Sequence, residues 1–267
     1  MITEIAYLGL LDDDEIELDM AALALSALDH EGIDLARYLA LLNEIGERLG
    51  TVGASAQTAQ EQGEALAKVF SGEFGFVGDA ASYDAPVNAD LIRVLDRKRG
   101  LPVSLAILYV AAARRLGWSA HALNMPGHVL VSIGDEPSAV LDPFNGGVPV
   151  SQDQLVALLD RALGPGAALR PDHIAPMANR AVLVRLLLNQ ASRAERRGDS
   201  RRALILYARM TNVAPDNADG WWELARLQLG ARDVVAARHS LSAMLEVTRD
   251  PERRERVSAV LEAIAQR

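Results

Sequence analysis

Apolar and polar positions alternate along this chain in two different periods, and the change of period divides it. From Asp13 to Asp29, the residues Ile16, Leu18, Met20, Ala21, Leu23, Leu25 and Leu28 predict a well-buried helix. Asp12, Asp13 and Asp14 suit its positive start, a reading preferred to a calcium site. Apolar residues at intervals of three and four predict two more helices, Ile33 to Leu49 and Ala56 to Phe70, completing an N-terminal helical layer. Residues 71–86 hold Gly72, Gly75 and Gly78 among Phe74, Phe76 and Tyr83, a glycine density that predicts an ordered aromatic loop. A helix over Asn88 to Arg99 follows, broken at Gly100. The run PVSLAILYVAAARRLG then places Pro102 at the first helical position. This helix is apolar on nearly every side, so it belongs in the core.

After Gly117 the period falls to two. SAHALNM, HVLVSI and AVLDPF read as strands, with GDEPS (134–138) as a hairpin connection. In HVLVSI, the alternation sets Val129, Val131 and Ile133 on one face and His128, Leu130 and Ser132 on the other. A helix begins at Ser151, and the Gly- and Pro-rich stretch 164–175 reads as a linker. The fold class expected is α+β: the helical layer and a core with a small antiparallel sheet, then an all-α region. Its domains are 1–163, the linker 164–175, and 176–267.

The last third repeats itself at an offset of 34 residues, which sets Leu187 on Trp221, Ala191 on Ala225, Ala203 on Ala237 and Tyr207 on Leu241. That is the tetratricopeptide period. Gly198 separates the helices of the first unit and Pro215 closes it. Because arrays of this kind usually need about three units for stability, a helix from Pro251 to Gln266 is expected to cap one end.

Composition narrows the function. The chain has 267 residues, half of them hydrophobic, enough for a sizeable core. A net charge of −9 disfavours broad attraction to nucleic acid or an anionic membrane. There is no cysteine, hence no disulfide, thiolate nucleophile or cysteine-based zinc site. The N-terminus lacks the pattern of a signal peptide, no apolar run is long enough to span a membrane, and a cytoplasmic location is expected. His30, His121, His173 and His239 lack metal-ligand spacing, so neither metal nor cofactor is expected. Arg97, Lys98 and Arg99 form a basic run that reads either as a mouth for an acidic ligand or, preferably, as a solvated helix end.

Three residues of the middle region have the chemistry of acyl transfer. Ser104 stands in the first turn of the buried helix, where free N–H groups and the helix dipole favour an anion. His128 opens one strand and Asp142 ends its neighbour, so hairpin pairing would join imidazole to carboxylate. Each also has a plain structural role open to it: a helix-start hydrogen bond for Ser104, a hairpin tie for His128, and an Asx turn for Asp142.

RKRGLPVSL at 97–105, NMPGH at 124–128 and DPFNGG at 142–147, in that order, resemble the SirB-type transglutaminase-like family, which carries tetratricopeptide helices behind its core domain. The resemblance implies a papain/transglutaminase-like core and sets Ser104, His128 and Asp142 on the superfamily's catalytic positions, Ser104 where a cysteine is usual. A hydroxyl needs base-assisted deprotonation that a thiolate does not, so transglutaminase activity is not inherited. Two functions remain: a protein that binds a protein or peptide through its repeat helices, or a serine-type hydrolase or acyltransferase acting through a Ser-His-Asp triad. On the family pattern, the repeat groove is lined by Arg185, Leu188, Ser192, Glu195, Asp219, Trp222, Arg226 and Leu229, a mixed surface that favours an internal helix as partner over a C-terminal carboxylate.

Overall fold

The computed structural model describes residues 5–265; residues 1–4 and 266–267, with Gln266 at the expected end of the last helix, lie outside it. The protein is mostly helical with a small antiparallel sheet and divides into two compact units, residues 17–182 and residues 5–16 with 183–265. The expected first domain, 1–163, differs from the first unit at both ends.

In the first unit, α1 (Leu18–Ala27), α2 (Ala36–Val52) and α3 (Ala59–Ala67) form the helical layer. The helix expected from Asp13 is interrupted. Asp13–Glu15 close a separate turn, in which Glu15 Oε2 accepts from Asp12 N at 2.9 Å, and α1 starts only at Leu18. The acidic run therefore serves its own turn. α3 opens on a capping box, Thr58 with Glu61, and then loosens into a π-type turn over Lys68–Glu73.

The glycine-rich stretch carries β1 (Val77–Gly78), which pairs in parallel with β2 (Arg99–Gly100) just beyond α4 (Leu91–Arg97). The pairing was hidden from periodicity because each strand is only two residues long. α5 (Pro102–Arg115) is the central helix, with every residue from Pro102 to Ala113 buried. Its C-terminal turn is tied to α1 by Arg115, which meets the buried Asp19 at 2.6 Å.

The sheet has the order β3 (Ala120–Leu123), β4 (Leu130–Ile133), β5 (Ala139–Asp142) and β6 (Val148–Pro149), all antiparallel. β4 begins at Leu130, so His128 stands in the turn ahead of the strand, its N–H bonded to Met125 O at 3.0 Å. Burial of Leu130 departs from simple alternation. It joins Leu123, Met125, Leu155 and Leu159 in a cluster under α6 (Gln152–Leu163), so both faces of β4 are covered. The stretch expected as a linker packs Ala167, Leu169 and Ile174 on this cluster, and Met177 N bonds to Ala122 O at 2.8 Å on the sheet edge.

The second unit contains α7 (Asn179–Arg196, the division falling within it), α8 (Ser200–Val213), α9 (Ala218–Gly230), α10 (Val234–Val247) and α11 (Pro251–Ala265). Small residues Ala191, Ala203, Ala225 and Ala237 are all fully buried, where helices come close. Asp199 caps α8 by accepting from Arg202 N, and Asp233 caps α10 by accepting from Ala236 N, 34 positions on. Residues 5–9 form a short 3-10 turn against α8; Leu8 is buried, and a Cβ on Gly9 would stand 2.4 Å from Asn212 O.

Candidate functional site

β5 and the turn that follows it position the carboxylate of the site. Asp142 Oδ1 accepts from Phe144 N (3.0 Å) and Asn145 N (3.3 Å), Oδ2 accepts from Asn145 Nδ2 (2.6 Å), and His128 Nε2 lies 2.9 Å from Oδ1. The register β4 to β5 pairs Val131 with Leu141, so that just beyond this pair the turn residue His128 and the strand-end Asp142 come together. Burial pushes the Asp142 carboxyl up, but bonds from His128 and Asn145 and the attraction of His128 outweigh it and hold the group below the usual carboxylate range. The His128 ring also stands edge-on to Phe144, with centroids 5.9 Å apart.

Ser104 is bonded elsewhere. It is fully buried, and its hydroxyl donates to the backbone carbonyl of Asn88 at 2.9 Å. Among the described residues no hydrogen bond joins it to His128 or Asp142. Asn88 is itself a hub, its carbonyl also accepting from Leu101 N (2.9 Å) and its side chain donating to Ser82 O (2.6 Å) and accepting from Arg97 (2.7 Å). Arg97 completes the hub by pairing with the buried Asp79 at 2.6 Å. The bond from Arg97 holds the Asp79 carboxyl below its ordinary value. The basic run is thus divided in role: Arg97 closes this network, Lys98 lies over the Phe76 ring at 4.5 Å, and Arg99 is exposed. Burial lowers the Lys98 ammonium.

Two features of this region escape sequence reading. The first is the Asn88–Arg97–Asp79 network, whose members lie in a stretch read as loop and helix end. The second is Tyr109, fully buried on α5 and stacked on Phe70, whose hydroxyl has no hydrogen-bond partner among the described residues. Burial, with the nearby Asp142 charge, raises its pKa. Gly147, at φ +79°, passes so close that a Cβ there would stand 2.7 Å from the Tyr109 hydroxyl. The signal for Tyr109 was its place as the one polar-tipped aromatic in an otherwise apolar helix.

No group of three or more histidine or carboxylate side chains able to hold a metal ion occurs among the described residues. None of the described helices is long and apolar enough to cross a membrane.

The site thus lies where the buried helix α5 packs on a small antiparallel sheet, with Ser104 in the first turn of the helix, His128 in the turn before β4 and Asp142 at the end of β5. Residues 36–188 match the model of the transglutaminase-like superfamily, and the chain belongs to that superfamily. Its relatives include proteins named UPF0162. One from Xylella fastidiosa (strain Temecula1) is 30% identical over 234 residues, covering 84% of this chain and 82% of that one. Another from Vibrio cholerae is 34% identical over 191 residues, covering 66% of each. A crystal structure of menin, described as revealing the binding site for the Mixed Lineage Leukemia protein, aligns with a TM-score of 0.42 at 14% identity, over 91% of this chain and 69% of that one.

Proposed function

We propose that this chain is a partner-binding protein in which the transglutaminase-like domain is a catalytically silent scaffold. In this reading, α7 to α10 are two tetratricopeptide-like repeats, α11 caps them, and together they supply the recognition surface. The observation that carries the reading is Ser104, whose hydroxyl lies fully buried and bonded to the Asn88 carbonyl. A nucleophilic serine needs its proton directed at a base and its oxygen open to substrate. His128 and Asp142 then act as a tie between the Met125–His128 turn and the Asp142–Gly147 turn. The many bonds to Asp142 from its own turn support that role.

The second reading, a serine-type hydrolase or acyltransferase on an amide or ester, draws on the intact His128–Asp142 pair. Reaction with a serine-directed fluorophosphonate probe separates the two. The wild-type chain is expected to remain unlabelled; labelling that disappears in Ser104→Ala would overturn the scaffold reading.

A further inference from the structure

The two steps of the helical unit differ in a way that a 34-residue comparison makes explicit. In the first step, Glu195, Tyr207, Glu223 and Arg226 form one polar cluster. Tyr207 donates to Glu195 at 2.8 Å, Arg226 bonds Glu223 at 2.6 Å, and Arg226 also pairs with Glu195. Advanced by 34 residues, these four positions become Leu229, Leu241, Val257 and Val260. Every group that closed the first step is therefore apolar in the second. Leu241 and Val257 are buried in the small core of this end, but Leu229 and Val260 line an open groove.

The groove has a volume of about 830 Å³ and runs along the α11 face of Arg256, Ala259, Val260, Ala263 and Ile264 toward the start of α10 at Val234. Apart from Leu229, the remaining lining residue is Arg232. Its charge is all of one sign. Arg232 and Arg256 stand in the lining with no acidic residue, in a chain whose net charge is −9, and neither makes an ion pair among the described residues.

Arg232 carries a second, independent observation. It occupies the turn between α9 and α10 at φ +63°, the left-handed region, where the equivalent residue of the preceding turn, 34 positions earlier, is Gly198 at φ +77°. A side chain in that conformation is strained relative to glycine, and such strain concentrates where a side chain is used. Here the residue in that conformation is an arginine that lines an otherwise mostly apolar groove.

We propose that this groove binds an amphipathic helix of a partner protein, with an apolar stripe seated on Leu229, Val260 and Ile264 and flanking carboxylates meeting Arg232 and Arg256. The partner is helical because the groove lies along α11, beside the place a counterpart of α10 would take in a further unit, and its lined face spans about two turns. Its acidity follows from the two arginines. This inference rests on the partner-binding reading and names the partner's chemistry.

The test uses the full chain and a fluorescent helical probe of about 14 residues, with leucine at heptad spacing and glutamate on both flanks, beside a twin carrying lysine for glutamate. Saturable binding of the glutamate probe is expected, with the lysine twin at least about tenfold weaker. Arg256→Ala and Arg232→Gly should each weaken binding roughly three- to tenfold, while Arg99→Ala, exposed in the other unit, leaves it unchanged. Arg232→Gly should also raise the Tm by about 2–4 °C, because glycine relieves the turn, so its loss of binding cannot come from misfolding. Absent saturation, equal binding of the two probes, or indifference to both arginine variants would overturn the proposal. So would a concentration-dependent dimer abolished by Val260→Asp, which would assign the groove to a second copy of the chain. Fluorophosphonate labelling would fail the scaffold reading itself; an unlabelled chain that ignores the probe fails only this site.

Discussion

Asp142 and Ser104 lie in one helix–sheet core and carry opposite burdens. The carboxylate of Asp142 is held charged by His128 and Asn145, and that of Asp79 by Arg97, so both titrate below their unfolded values. A depressed folded pKa contributes stability that is complete above the unfolded carboxylate value of about 4 and is lost as pH falls through the folded one. Thermal melts are therefore expected to show the Tm falling as pH drops from about 5 to about 3, and Asp142→Asn should make that slope shallower; an unchanged slope would remove Asp142 from the account. His128→Ala leaves a buried carboxylate short of a partner and should cost about 1–3 kcal/mol by denaturant melts. Ser104→Ala should cost less, about 0.5–1.5 kcal/mol, since the Asn88 carbonyl keeps its bond from Leu101 N. Tyr109→Phe removes a buried hydroxyl that has no partner among the described residues and is expected to be neutral or to stabilise by about 1 kcal/mol. A loss of more than that would mean that the hydroxyl has a role in the fold.

At the scale of elements, the sequence is most legible where a period runs long. α5 is readable because twelve consecutive buried positions begin with the proline at the helix start, a pattern with one physical interpretation. β4 and β5 are readable from alternation and the turn between them. Legibility fails where an element is short or where a second layer covers it. β1 and β2 have two residues each and are held by partners distant in sequence, and Leu130 is buried only because α6 folds across the sheet. Gly147 belongs to this scale as well, because its left-handed backbone lets the Asp142 turn close over Tyr109. Gly147→Ala should cost about 1–3 kcal/mol from strain alone, measurable as a lowered denaturation midpoint.

For the whole molecule, the division at residues 16 and 182 changes what a fragment can do. The helical unit includes residues 5–16, whose Leu8 is buried and whose Gly9 lies against Asn212. Residues 176–267 expressed alone lack that segment and would leave exposed the apolar surface that Leu8 covers. Such a fragment is expected to melt with poor cooperativity or to aggregate; a sharp reversible transition matching the full chain would show the N-terminal segment to be dispensable. In the full chain, Leu8→Ala should cost about 2–4 kcal/mol, the usual range for a buried leucine, despite its distance in sequence from the helices it serves.

Three things were legible in the sequence alone: an α+β core followed by an all-α stretch, the absence of cysteine, and the closeness of His128 and Asp142 across a hairpin. Each follows from local patterns, since periodicity, composition and hairpin register depend on residues near one another in the chain. Tertiary structure alone decided where the Ser104 hydroxyl goes, because its acceptor, the Asn88 carbonyl, is a backbone group that no side-chain pattern reveals. It likewise decided that the polar cluster of Glu195, Tyr207, Glu223 and Arg226 is closed, whereas of the four apolar residues 34 positions on, Leu241 and Val257 are buried and Leu229 and Val260 line a groove. The residue identities at the 34-residue offset were always present, but whether space remains between helices depends on how their side chains pack, and packing is a property of the folded chain.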